Sequence, residues 1–194
     1  MRGSRWYAVP AGISHEGGCA GRQAKKGDYE SDLIPAVTSL LQFLSARAPT
    51  TFINLGCADS YYAVGVGRAV PGVTIEAFDL AASARRATSA LAQANRVSVK
   101  LHAGASARAV RKLAPSTAGL LRDIEGAELD VLSPPVVWQL ARAFVVVEIH
   151  EGLRPGVQAA LLKRFSTTHD MELVEPTQHE LGDRPLGVAE MANL

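Results

Sequence analysis

Thr51-Phe52-Ile53-Asn54-Leu55-Gly56-Cys57-Ala58-Asp59-Ser60 is the stretch on which the reading of this chain turns. An apolar, β-branched run stops at a glycine, a short loop of small residues follows, and Tyr61 to Val70 continues as a helix. About two dozen residues after the glycine, a second such run, Val73 to Phe78, ends in Asp79. Strand, tight glycine loop, helix, then strand ending in a carboxylate is the pattern of a nucleotide-binding βαβ unit. The backbone comes close to a ligand where Cβ atoms are absent or small, and the acid accepts hydrogen bonds from ribose hydroxyls.

Working outward, strands and helices keep alternating. Ala81 to Asn95 reads as a helix, Val97 to His102 as a third strand closed by Gly104, and Ser106 to Leu113 as a short helix. Ala118 to Asp123 is a fourth strand, and Pro134-Pro135 opens a helix, proline being well suited to a first helical turn. Phe144 to His150 is a fifth strand, apolar on both faces over its first half and therefore central in a parallel sheet. Pro155 to Thr167 is a helix, Met171 to Val174 a sixth strand, and Leu186 to Met191 a candidate for a last, short one. Upstream, Leu33, Ile34, Val37, Leu40, Leu41 and Leu44 recur at helical spacing, so residues 29–47 form an amphipathic helix docked on the core, its regular part starting near Ile34 because proline at 35 suits a first turn. Residues 1–28 show little periodicity and read as an irregular arm. The expected fold is a doubly wound, mostly parallel Rossmann-like α/β sheet with helices on both faces, one domain over 1–194 with its α/β core in 50–194. Gly65 and Gly67, each costing a helix about 1 kcal/mol against alanine, are explained either by close packing of helix on sheet or by a short, frayed helix.

The bulk properties narrow the function. The 194 residues are 47% hydrophobic, enough for one well-buried core. The net charge of +1 and the lack of a basic block give no sign of nucleic acid or a membrane surface as partner. No apolar run approaches the roughly 20 residues of a membrane span, and Met1-Arg2-Gly3-Ser4-Arg5-Trp6 lacks the apolar region of a signal peptide. There are two cysteines, Cys19 and Cys57. Cys57 sits inside the ligand loop, which argues against a structural disulfide and for a reducing cytoplasm. His15 and Cys19 lack a second pair at metal-ligand spacing and read as loop residues. Oligomeric state is not legible.

The loop also discriminates between ligands. A dinucleotide site wants G-x-G-x-x-G with a helix N-terminus facing a pyrophosphate. Gly56-Cys57-Ala58-Asp59-Ser60-Tyr61 has one glycine, and Asp59 would repel a pyrophosphate. An NAD-dependent oxidoreductase is disfavoured on both counts. A carboxylate there suits a ligand bearing an ammonium and a sulfonium, as S-adenosylmethionine does; otherwise Asp59 caps the helix.

Four stretches resemble class I S-adenosylmethionine-dependent methyltransferases, and FkbM-type O-methyltransferases in particular. Asn54 to Ser60 is similar to the first glycine motif. Ala77-Phe78-Asp79 resembles the acidic end of strand two, with Asn95 where such families often carry asparagine. Asp123-Ile124-Glu125-Gly126-Ala127-Glu128 is similar to the FkbM Asp-x-Glu-Gly-x-Glu signature, and Val147-Glu148-Ile149-His150 resembles that family's fifth strand. The resemblance implies S-adenosylmethionine as cofactor and a hydroxyl of a small molecule or sugar as methyl acceptor. It implies cofactor contacts from Gly56, Cys57, Ala58 and Ser60 along the methionine part, Asp79 at the ribose, and Gly104 and Ala105 near the adenine, with Asn54 and Leu80 also in the cofactor-binding set. Asp123 would face the methyl group or the donor's amino group. There are departures: Asn54 replaces the usual acid, Ser60 stands where glycine is expected, Ala105 where many relatives carry an acid, and Arg122 in a strand that is normally more apolar. Asn54, Ser60 and Ala105 favour the alternative, a non-catalytic binding module that retains the fold.

Methyl transfer to a hydroxyl needs alignment and removal of the hydroxyl proton, the latter worth about 10²–10⁴ in rate. His150 is the candidate base, with Glu148, of the same strand parity, to orient it and Asp123 as the third catalytic candidate. The other reading of His150 is a solvated histidine at a strand end. Glu128 reads as a helix N-terminal acid favoured by the dipole, and His169 as structural. Asp123, Glu125, Glu148 and His150 are of the types that hold magnesium or manganese, but nothing in their spacing demands an ion, and the expectation is a site without metal.

Overall fold

The computed structural model of the protein describes residues 5–10, 31–58, 60–124 and 126–174, the first six and Ser31 by their backbone. The strands are β1 (Arg5–Pro10), β2 (Thr51–Leu55), β3 (Thr74–Phe78), β4 (Val99–His102), β5 (Gly119–Arg122), β6 (Phe144–Ile149) and β7 (Asp170–Leu173). The helices are α1 (Ile34–Ser45), α2 (Tyr61–Ala69), α3 (Ala82–Ala94), α4 (Ala107–Leu113), α5 (Glu128–Val131), α6 (Pro134–Gln139) and α7 (Val157–Phe165), with a 3-10 turn at Ser31–Leu33 leading into α1. The strands form one sheet in the order β4-β3-β2-β5-β6-β1-β7, and every neighbouring pair is parallel. Helices cover both faces, which makes the fold the doubly wound, Rossmann-like α/β sheet that the alternation implies.

Two cores hold the layers together. On one face, Ile53, Leu55, Val145, Val147 and Ile149 pack against α4, α5, α6 and α7 through residues such as Val110, Val131, Val136, Leu161 and Phe165. On the other, Phe52, Ile75, Phe144 and Val146 pack against α1 and α2 through Leu40, Leu44, Ala63 and Val66. The alternation of Phe144 to Ile149 between the two cores is what a central strand requires, because neither face of β6 meets water. Gly119 marks where α1 seats. A Cβ there would lie 2.7 Å from Leu40 and 2.8 Å from Leu44, so the helix reaches β5 closely only because the side chain is missing.

Three details differ from the sequence reading. Residues 5–10 are not part of an irregular arm; they form β1, a strand inside the sheet, paired with β6 on one side and β7 on the other. Both partners lie more than a hundred residues downstream, so the local pattern carries no trace of the pairing. Of the two glycines in α2, only Gly67 serves close packing: a Cβ would overlap Val97, whereas Gly65 has open space. The segment after β5 adds α5, a four-residue helix. The rest of the arm (11–28), with His15 and Cys19, and the candidate strand at 186–191 lie outside the described residues. Among the described residues, no helix is long and apolar enough to cross a membrane.

The chain runs from β2 outward to β3 and β4, then returns to β5 on the other side of β2. The reversal places a topological switch point at the carboxyl ends of β2 and β5, and parallel α/β sheets gather ligands in the crevice outside such strand ends.

Candidate functional site

Gly56 ends β2 at that switch point, with a φ of +80° that L side chains rarely adopt. A Cβ would overlap the carbonyl oxygen of Asp123, whose carbonyl carbon would be 2.8 Å away, and would lie 3.0 Å from Ile124 Cγ2. The amides of Gly56 and Cys57 both donate to the Phe78 carbonyl, at 2.9 and 3.0 Å. The loop is thereby folded over the end of β3 and meets Asp79 directly, Ala58 N–H donating to Asp79 Oδ2 at 3.0 Å. The other carboxylate oxygen of Asp79 accepts from Ala81 N–H at 2.8 Å. Each oxygen keeps a second lone pair for a ligand hydroxyl. Leu80 follows, 85% exposed, and its Cδ2 would be 3.1 Å from a Cβ on Gly104 at the end of β4. The glycine loop, the acid, an exposed apolar side chain and Gly104 therefore sit side by side at one edge of the crevice.

The remaining loop residues turn inward. Asn54 is buried and its side-chain amide donates to the Gly56 carbonyl at 3.3 Å. Cys57 and Ser60 are buried too, and both side chains meet Thr88 of α3, Sγ at 3.3 Å and Oγ at 2.7 Å. Burial pushes the Cys57 thiol up, against the pull of the Thr88 hydrogen bond. These three side chains brace the loop; what they leave for a ligand is backbone. Ser60 has φ +70°, which explains why glycine suits the position and shows that serine tolerates it. Ala105 packs partly buried against the core above α4. Asn95 caps α3, donating to the Leu91 carbonyl at 2.9 Å. Asp59 lies outside the described residues.

On the far side of the crevice, the ends of β5 and β6 bring Asp123, Glu148 and His150 together, with one ligand-type atom from each within 4.8 Å of the others. Two carboxylates and an imidazole at this spacing could hold a divalent cation. Glu125, the fourth candidate from the sequence, lies outside the described residues. Asp123 is 36% exposed at its side chain and His150 12%, with His150 Nε2 3.7 Å from Asp123 Oδ1.

Behind them lies a polar group that the sequence reading assigned differently. Glu128 opens α5, as a helix N-terminal acid should, yet its side chain is 0% exposed. Its Oε1 accepts from Gly126 N–H at 3.3 Å, forms an ion pair with Arg122 Nη1 at 3.3 Å and hydrogen-bonds with His150 Nδ1 at 2.9 Å. The carboxylate bonded to the imidazole Nδ1 is thus Glu128, a partner that strand parity did not suggest. The strand parity that suggested Glu148 does place its carboxylate near His150, but α5 delivers Glu128 to Nδ1. Arg122 is also 0% exposed. Its NH2 donates to the Ile124 carbonyl at 2.6 Å and its NH1 to the Glu148 carbonyl at 3.4 Å. Burial lowers the guanidinium's pKa while the Glu128 charge opposes the shift. For Glu128, burial alone would raise the pKa; the His150 hydrogen bond and the Arg122 charge outweigh it and hold the carboxyl at about 2. A charge buried this deeply is retained only with such partners.

His169 is structural. It is buried against the Phe165 ring (centroids 5.0 Å apart), with Thr168 Oγ1 2.8 Å from its Nδ1. Burial depresses its pKa from 6.5 to about 4. Between those values the unfolded chain binds the proton that the folded chain refuses, so stability falls as pH drops through that window. The expected loss is about 3 kcal/mol by pH 4, and His169→Gln should flatten it. Urea midpoints of both proteins at pH 7 and pH 5 measure the difference; parallel pH dependence would show that the ring is not held neutral.

No protein-family model matches the chain, and no curated protein does. Among solved structures, a coclaurine N-methyltransferase bound to N-methylheliamine and SAH is similar to it at 12% sequence identity and a TM-score of 0.41. The match covers 60% of this chain and 33% of that one.

Proposed function

We propose that the chain is an S-adenosylmethionine-dependent methyltransferase acting on a hydroxyl of a small molecule or sugar, of the FkbM kind that its Asp123–Glu128 segment resembles. The observation that carries this reading is the meeting of the Gly56 loop with Asp79, Ala58 N to Asp79 Oδ2 at 3.0 Å, at the carboxyl ends of a parallel sheet and beside the exposed Leu80. The donor set suits the cofactor: a carboxylate for ribose hydroxyls, an apolar surface for the adenine, and the Asp123 and Glu148 carboxylates to face cationic groups. Bound S-adenosylmethionine would supply an electrophilic methyl group, open to in-line attack with a neutral thioether as leaving group. The chain's own part is to align the acceptor and to take its proton on His150 Nε2, beside Asp123.

One observation favours the second reading, a binding module that retains the fold without catalysis: both Asp79 oxygens already accept hydrogen bonds from loop amides. Calorimetry with S-adenosylmethionine and its demethylated product separates the two. The methyltransferase reading expects binding, and Leu80→Ala should weaken it by about tenfold, the loss of roughly 1.4 kcal/mol of apolar contact, with no change in stability because Leu80 is exposed. No binding at millimolar ligand would remove the enzyme reading. Binding with unchanged turnover in His150→Ala would remove His150 as the base.

A further inference from the structure

The ring nitrogen that the proposed reaction needs bare is selected from behind. We propose that Glu128 is a positioning residue which, pinned by Arg122, fixes His150 as the Nδ1–H tautomer and so aims the lone pair of Nε2 into the crevice. The inference rests on the methyltransferase reading for its catalytic meaning, but its structural content stands apart from it.

An ionised carboxylate only accepts hydrogen bonds, so the group 2.9 Å from Glu128 Oε1 must be an N–H, and the proton of the neutral imidazole is on Nδ1. Nε2 is then the acceptor, and it lies on the side of Asp123, 3.7 Å from Oδ1. Glu128 stays ionised because Arg122 faces it with no solvent between them to compete. Arg122 is in turn fixed by carbonyls of the segment after β5 and of β6, those of Ile124 and Glu148. The two strand ends that carry Asp123 and His150 are therefore tied to the residue that sets the tautomer. Among the described residues, the other charged groups about the ring are Asp123 and Glu148 at the strand ends. Arg154, whose amide bonds the His150 carbonyl, already has Asp130 as partner at 3.0 Å.

When Nε2 takes the acceptor's proton, the bond to hydrogen on the oxygen breaks and a new one forms on nitrogen. The oxygen's electron pair becomes the nucleophile, and the imidazolium lies between two carboxylates, Glu128 at Nδ1 and Asp123 near Nε2. No rotation of the ring is needed, and no counter-charge has to arrive.

The test is nitrogen-15 NMR of the full-length protein with labelled histidine, which reads the tautomer directly and without substrate. The wild type at neutral pH is expected to show His150 protonated on Nδ1 and bare at Nε2; a ring protonated on Nε2 alone overturns the proposal. In Glu128→Gln the preference should be lost. The double variant Arg122→Met/Glu128→Met, which removes the buried pair together, should lose it as well and guards against a single variant that fails to fold. With an acceptor in hand, Glu128→Gln should lower kcat by about 10²-fold with KM for S-adenosylmethionine unchanged. Unchanged kcat would overturn the positioning role even with the tautomer as expected. A chain that binds no S-adenosylmethionine sinks the function while the NMR result still decides the tautomer.

Discussion

Arg122→Leu is expected to destabilise the protein by about 3–5 kcal/mol, because it leaves a buried carboxylate without its cation. The side chains of Arg122 and Glu128 are both fully shielded from water, and the pair is 3.3 Å apart. Removing one partner strands the other, and the loss is dominated by the charge left behind. Adding Glu128→Gln to Arg122→Leu should therefore recover a substantial part of the loss, which no account based on lost packing volume predicts. Urea denaturation of the wild type, the two single variants and the double variant gives the coupling. The sign of the acid dependence follows from the same group. Glu128, held at about 2 in the fold, contributes stability that is present above the ordinary carboxyl pKa of 4.5 and is lost as pH falls towards 2. In Arg122→Leu that contribution should shrink. A cost below 1 kcal/mol, or a double variant no more stable than Arg122→Leu, would show that the two charges do not depend on each other.

Gly56→Ala is expected to cost about 2–5 kcal/mol, from overpacking together with left-handed backbone strain. It should also abolish S-adenosylmethionine binding. The clash is with backbone, the Asp123 carbonyl, and not with a side chain that can swing away. Asp123 N–H donates to the Leu55 carbonyl at 2.9 Å, so the added methyl group can be accommodated only by parting β2 and β5 at the switch point. Gly65→Ala is the matched control. It meets open space within a helix, and should stabilise by up to about 1 kcal/mol with binding intact. For a domain of this size, thermal midpoints should move in opposite directions by about 2–4 °C per kcal/mol. A Gly56→Ala protein with wild-type stability would mean that the loop and β5 do not touch as described.

Legibility in the sequence followed how local each cause was. β2, α2, β3 and the meeting of the Gly56 loop with Asp79 could be read because the βαβ unit is short and its punctuation, a glycine at one strand end and an acid at the next, lies in adjacent segments. α1 could be read from the spacing of Leu33, Val37, Leu40 and Leu44, all four of which are buried. The apolar run of Phe144 to Val147 announced a central strand because burial on both faces removes the need for polar alternation. β1 could not be read, since all its hydrogen bonds are to strands formed by the far end of the chain.

The amino-acid sequence by itself determined the layered α/β architecture and the end of the sheet where chemistry gathers, because periodicity, glycine at a left-handed bend and an acid at a strand end act through nearest neighbours. The tertiary structure decided which carboxylate serves His150. Strand parity put Glu148 and His150 on one side, but hydrogen bonding is settled by distances between elements, and α5 brings Glu128 to within 2.9 Å of Nδ1. Arg122, out of place in an apolar strand when read as sequence, is accounted for only once the fold buries Glu128 beside it, since neither charge is tolerable there without the other.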